Sequence, residues 1–137
     1  MIEAKIILDS VSETGHRLTT FELNYHRMIH SEFMTHRLFS RNSASSRAIP
    51  IEKQIEKIYG DLAWPLEFGA NQPGMQAGEP LSGDLLDEAE DIWELASWYA
   101  IGQAKKLLKV GVHKQVTNRL LEPFMWHRVI VTSVDYG

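Results

Sequence analysis

THRLFSRNSASSRAIP, residues 35–50, gathers three arginines, four serines, an asparagine and a histidine with no acidic residue among them. Arg37, Arg41 and Arg47 cannot share one face of one helix, so the segment has to bend. The serines after Asn42 favour that bend, because short hydroxyl side chains compete with the backbone for its own hydrogen bonds. A turn rich in serine and arginine combines backbone N–H groups, hydroxyls and guanidinium forks, the donors that bind phosphate. The plainer reading is that the arginines pair with distant acids and the serines only cap helices.

The rest of the chain bounds the answer. Its 137 residues carry 44% hydrophobic and 23% charged side chains, the balance of one ordinary globular domain with a core of its own. A net charge of −4 excludes a general nucleic-acid binder, which needs a basic face. No apolar run approaches the ~20 residues required to cross a bilayer. The opening MIEAKIILDS has an acid at position 3 and no long apolar core, so it does not read as a signal peptide. With no cysteine, disulfides, thiolate metal sites and cysteine nucleophiles are all excluded, and a reducing cytoplasm is the expected location.

Charge is unevenly spread. Residues 16–47 hold Arg17, Arg27, Arg37, Arg41 and Arg47 against Glu22 and Glu32, whereas residues 76–97 hold seven acids and no cation. The acidic run is expected to be a solvated helix face. The basic segment is the candidate site, since it can attract a small anion even on an acidic protein.

Periodicity supplies the scaffold. Ile2, Ala4, Ile6 and Leu8 alternate with polar residues, Ile7 breaking the rule, and predict a first strand. A turn over 12–16 contains Gly15. Phe21, Leu23 and Tyr25 mark a second strand. From Arg27 the spacing of Ile29, Phe33, His36 and Arg37 predicts a helix that carries the start of the quoted stretch. Pro50 opens a short helix through Ile51, Ile55 and Ile58. Residues 61–82, rich in proline and glycine, read as an ordered loop. From Asp84 a long helix shows Leu85, Ala89, Ile92, Ala96, Ala100, Ala104 and Leu107 at helical spacing, with Gly111 as its cap. A helix over His113–Leu121 should stop near Pro123, and Met125–Val134 reads as the last strand. Trp93, Trp98 and Tyr99 are expected to pack in the core or between subunits. His26 and His30 lie four apart but lack a third ligand, so no metal site is expected.

The quoted stretch resembles the signature of the flavin-dependent thymidylate synthases, R-H-R-x-x-S-x-N-x-x-S-x-R. His36, Arg37, Ser40, Asn42, Ser45 and Arg47 fall on six of its seven fixed positions, and Thr35 stands where the first arginine would be. VHKQVTNRLLEPFMWHRVIVT, residues 112–132, is similar to a later family segment in which Arg119 takes the place of a substrate-binding arginine. GANQPGMQAGEPLSG, residues 69–83, resembles a viral and actinobacterial branch of the family, which extends the expected setting to a virus-encoded protein in host cytoplasm.

The resemblance implies an α/β (α+β) fold, that of the thymidylate synthase-complementing proteins, with a small sheet packed against a long helix and shorter ones. It implies methylation of dUMP to dTMP, with FAD carrying the electrons, methylenetetrahydrofolate giving the carbon and NADPH recharging the flavin. Thr35, His36, Arg37 and Asn42 would contact the flavin, with Arg41 standing in for the guanidinium that Thr35 lacks. Glu32, Ser43, Ala44, Ser45, Ser46, Arg47 and Arg119 would hold dUMP, and Ser45, Arg47 and Arg119 form the implied catalytic set. A homotetramer with sites shared between subunits is implied, as is a further helical segment beyond residue 137, so that residues 1–137 form a single C-terminally incomplete domain. A remnant of the family that binds nucleotide without turnover, and a small anion-binding module, stay open as alternatives.

Overall fold

A computed structural model describes residues 1–134 and 136. Four strands form one antiparallel sheet in the order β1-β2-β4-β3, and the helices gather beside it. Strand β1 (Glu3–Val11) and strand β2 (Arg17–His26) form a hairpin. Its register shifts between Ile6 and Leu8, so Ile7, the residue that broke the alternation, is the extra residue of a bulge. The hairpin turn closes through Ser12 N–H to His16 O (2.8 Å) and Gly15 N–H to Ser12 O (2.9 Å). Gly15 sits there at φ +85°, which a side chain would disfavour.

Strand β4 (Trp126–Ser133) pairs with β2 and sends His127, Val129, Val131 and Ser133 to the buried face. Phe21, Leu23 and Tyr25 lie opposite Val131, Val129 and His127, so the alternating residues of both strands meet across the ladder. Tyr25, Val129 and Val131 form a sheet-side cluster covered by Leu23, Phe33 and Phe39.

The expected helix through His36 and Arg37 does not form. A 3-10 turn (Arg27–Ile29) leads into helix α1 (His30–Phe33), which ends after one turn. Its last carbonyls are taken by competing donors. The Thr35 hydroxyl donates to Glu32 O (2.7 Å) and the Arg41 guanidinium to Phe33 O (2.7 Å). The Thr35 and His36 N–H groups reach back only three residues to the same carbonyls (3.0 and 3.3 Å), so the chain tightens and leaves the helix. Residues 34–39 therefore turn back, and Ser40–Ser43 form strand β3 against Thr132–Val129 of β4.

A 3-10 turn (Ser46–Ala48) and Pro50 precede helix α2 (Ile51–Gly60), which buries Ile51, Ile55 and Ile58. The loop over 61–82 is ordered by a bridge between Gly69 and Pro80 and by Leu81 N–H to Phe68 O (2.7 Å). A Cβ on Gly69 would stand 2.5 Å from Ala77 Cβ, so only glycine fits that crossing.

Helix α3 (Asp84–Lys109) buries Ser97, Ile101 and Ala104. It ends in paired bonds from Gly111 N–H to Leu108 O (3.0 Å) and Val112 N–H to Leu107 O (2.9 Å), with Gly111 at φ +91°. Only part of its predicted apolar face is buried. Trp93 packs on Phe124 (5.3 Å between rings), whereas Leu85, Ile92, Trp98 and Tyr99 are exposed. The helix after His113 is α4 (Lys114–Thr117), continued as a 3-10 helix (Asn118–Phe124) that includes Pro123 and ends one residue past it, near the expected stop. Pro123 donates no N–H there, and the helix closes past it through Met125 N–H to Glu122 O (3.3 Å). Ile51, Ile55, Ile58, Ile101, Ala104, Leu121, Phe124 and Met125 make the helical core. None of the described helices is long and apolar enough to cross a membrane.

Candidate functional site

Three 3-10 segments converge beside the sheet. The turn 46–48 and the turn 27–29 both pack on the 118–124 helix. This packs the turn that carries Arg47 against the helix that carries Arg119, although 72 residues separate Ser46 from Asn118.

Ser46 is the buried pivot. Its carbonyl accepts from Asn118 Nδ2 (2.8 Å) and Gln54 Nε2 (3.3 Å), and its hydroxyl donates to Glu122 Oε1. Asn118 Nδ2 also donates to Ile49 O (2.8 Å). Gln54 and Asn118 are both fully buried, so two amide side chains fix the backbone from Ser46 to Ile49. Ser46 is thus committed internally, while its neighbours Ala44, Ser45 and Arg47 are exposed. Arg47 makes no hydrogen bond or ion pair among the described residues. Ser43 lies half-buried at the end of β3.

Glu122 gathers the cations. Its Oε1 lies 3.6 Å from Arg27 Nη2 and 4.0 Å from Arg119 Nη1. The Arg119 side chain is 59% exposed, against 18% for Arg27, so Arg119 is available to a ligand and Arg27 is structural. Arg27 Nη1 stands 2.9 Å from Nδ1 and 2.7 Å from Nε2 of His127. His127 accepts because it is neutral, its pKa pushed down to about 4 by burial and then by Arg27 and His30. The Tyr25 hydroxyl, raised to about 12 by burial, stays protonated and is hydrogen-bonded with His30 Nδ1 (2.7 Å). Burial, with Arg27 and Arg41 nearby, likewise lowers His30. Arg27, Met28, His30, Ser31, Arg119 and Glu122 line a cleft of about 370 Å³. Arg27 belongs to the basic segment singled out from the sequence, but Glu122 and His127 were not singled out; an acid three residues after Arg119 was the available signal.

The other half of the motif is placed differently. Thr35, His36 and Arg37 are exposed on the turn after α1, and Asn42 is exposed on β3. The Arg37 guanidinium has no partner among the described residues. His36 lies beside Phe39 (5.7 Å between rings). Arg41 does not replace the guanidinium missing at Thr35: it is spent on the Phe33 carbonyl and stacks over the Phe33 ring at 5.7 Å. Glu32 is exposed and accepts from the Ser31 hydroxyl (2.8 Å). Its own backbone N–H and that hydroxyl hold its carboxyl below the usual range. Among the described residues no group of three or more histidine and acidic side chains is placed to hold a metal ion.

The architecture, a four-stranded antiparallel sheet with a long helix, is similar to that of a solved nucleotide-modifying protein. The likeness is to a UMP/dUMP methylase, PolB, from Streptomyces cacaoi. Bound with 5-Br UMP, that protein matches at 15% identity and a TM-score of 0.71, over 97% of this chain and 71% of that one. Bound with 5-Br dUMP it matches at 14% identity and a TM-score of 0.67, over 97% and 73%. At this identity the likeness is one of fold. No family model and no curated protein matches the sequence.

Proposed function

We propose that this chain binds a uridine monophosphate nucleotide, dUMP in the first instance, and methylates its uracil to give the thymine nucleotide. The observation that carries the reading is the packing of the 46–48 turn on the 118–124 helix. The turn that carries Arg47 thus packs on the helix that carries Arg119; both guanidiniums are exposed, with only a 4.0 Å ion pair drawing on either. A phosphate there would take charge-assisted, bidentate hydrogen bonds from the forks. Ser45 and the backbone of Ala44 add neutral donors. Glu32 is an acceptor, and so suits the imide N–H of uracil rather than the phosphate. The solved methylase with the same fold holds 5-bromo UMP and 5-bromo dUMP, which supports this ligand class.

The carbon would come from methylenetetrahydrofolate. The donor set at Arg37, His36 and Asn42, exposed and with Arg37 unpaired among the described residues, fits the pyrophosphate of FAD. Bound flavin would supply the hydride that completes the methyl group, with NADPH restoring it. Thr35 adds little, because its hydroxyl already serves Glu32 O. With no cysteine in the chain, uracil cannot be activated by a protein thiolate, so orientation and charge are what these residues contribute. A tetramer with shared sites would cover the apolar residues exposed on β1 and α3, among them Leu8 (68%), Val11 (64%) and Trp98 (56%).

Calorimetric titration of the purified protein with dUMP tests the reading directly. One-site binding, weakened roughly tenfold or more in Arg47→Ala, supports it, and thymidylate formation with flavin, folate and NADPH completes it. Equal heats for wild type and Arg47→Ala would remove the nucleotide from this surface.

A further inference from the structure

We infer that Glu122 is a positioning residue, the carboxylate that ties the turn carrying Arg47 to the Arg119 side chain, the two cations proposed for the phosphate. The role rests on the nucleotide reading given above. One oxygen, Oε1, takes the Ser46 hydroxyl and faces Arg27 at 3.6 Å and Arg119 at 4.0 Å. These partners come from three separate segments that meet around it. The Ser46 hydroxyl belongs to the residue before Arg47, so its bond to Glu122 ties the turn that carries Arg47 to the helix that carries Arg119. Arg119 is one helical step from Glu122 on the same 3-10 helix and leans toward it.

Arg27 shows why a carboxylate is needed at this point. It is mostly buried and locked on its far side by neutral His127. A buried guanidinium needs a compensating anion, and His127 cannot supply one. With Glu122 removed, Arg27 and Arg119 would repel each other across the gap that Oε1 now fills, and Arg119, the exposed partner, would swing away. Backbone fixation does not depend on Glu122, because Asn118 and Gln54 hold the Ser46 carbonyl independently. Glu122 therefore acts on side-chain direction rather than on the fold.

Simple charge counting predicts the opposite outcome. An acid beside an anion site lowers the local potential, so its removal should tighten binding of a phosphate dianion. Positioning predicts weaker binding.

The discriminating experiment measures dUMP affinity by calorimetry for wild type, Glu122→Ala, Glu122→Gln, Arg119→Ala and the Glu122→Ala/Arg119→Ala double variant. Glu122→Ala is expected to weaken binding roughly tenfold or more, the scale of one charge-assisted contact. Glu122→Gln keeps an acceptor for Ser46 but no charge against Arg27 and Arg119, and is expected to recover only part of that loss. In the double variant the Arg119→Ala penalty should largely vanish, because that side chain is already misdirected. Tighter binding in Glu122→Ala, or penalties that simply add, would overturn the role. If Glu122→Ala does not fold, Ser46→Ala takes its place: weaker binding, non-additive with Arg47→Ala, supports the role, and unchanged affinity overturns it. A wild-type chain that binds no dUMP would overturn the nucleotide reading itself, a different result from wild-type binding that Glu122 does not affect.

Discussion

Asn118→Ala tests whether a buried amide holds the candidate loop in place. The orientation of this amide is fixed by its surroundings: Nδ2 faces two carbonyls, Ser46 O and Ile49 O, each at 2.8 Å. Removing it deletes two hydrogen bonds worth about 1 kcal/mol each. The Ser46 carbonyl keeps Gln54 Nε2 at 3.3 Å, while Ile49 O loses its donor at a half-buried position and adds roughly 1 kcal/mol of desolvation cost. Against this, Asn118 Oδ1 is buried with no hydrogen bond among the described residues, so its deletion returns a part of the loss. The net expectation is about 2–3 kcal/mol, or a fall in melting temperature of roughly 6–12 °C for a chain of this size. Urea unfolding followed by far-ultraviolet circular dichroism measures it, with the m-value unchanged. Asn118→Asp sharpens the test. It keeps the shape but sets a carboxylate against two carbonyl oxygens, so it should destabilise at least as much at pH 7 and recover as the acid is protonated. A loss under about 0.5 kcal/mol for Asn118→Ala, the scatter of neutral surface changes, would refute the clamp.

Arg47→Ala should weaken dUMP binding by roughly tenfold to a hundredfold with no change in melting temperature, since the side chain is exposed; Arg47→Lys should recover little of it, because an ammonium lacks the fork. Leu121→Ala, at a fully buried position of the helical core, should cost about 2–5 kcal/mol in urea unfolding, and a cost below about 1 kcal/mol would place Leu121 outside the core. His127 titrates near 4 when folded, against 6.5 in the unfolded chain. Its contribution is therefore fully present above pH 6.5 and is lost as pH falls from there through 4, up to about 3 kcal/mol in all. Melting temperature should drop across that window, His30 and His26 adding in the same direction, and a flat profile would refute the neutral-histidine assignment.

Where side chains alternate or repeat over a long segment, the sequence was legible. β1, β2, β4, α2 and α3 all lie where periodicity put them, and even the Ile7 irregularity became a bulge. The failures share a cause. SRNS, residues 40–43, has no apolar residue to reveal a strand, and its place in the sheet is decided by β4 across the ladder. The helix expected through His36 and Arg37 obeyed the right spacing but lost to donors that no local pattern encodes, Arg41 above all. On α3 the predicted apolar stripe was wider than the face the core could cover, so its outer residues stay exposed.

The two halves of the arginine–serine motif differ in what holds them, and that difference explains what could be read from each. Ser46 is locked by Asn118, Gln54 and Glu122 from distant parts of the chain, so the direction of Arg47 is a property of the tertiary fold. Spacing identified the residue, but only the fold reveals the carboxylate that pairs with its neighbour. His36 and Arg37 are held by a short turn and face solvent, so their reading in the fold remains close to their reading in the sequence: cationic donors awaiting an anion. A site made from one rigid half and one lightly held half places the burden of specificity on the rigid one. The nucleotide phosphate, if bound at Arg47 and Arg119, meets a preformed surface, whereas a ligand at His36 and Arg37 must order those side chains as it binds. Substitutions that loosen the Ser46 clamp should therefore raise the dissociation rate of dUMP more than substitutions at His36 do, a contrast that stopped-flow displacement reads directly. Equal effects from Asn118→Ala and His36→Ala on that rate would show that the clamp contributes nothing beyond stability.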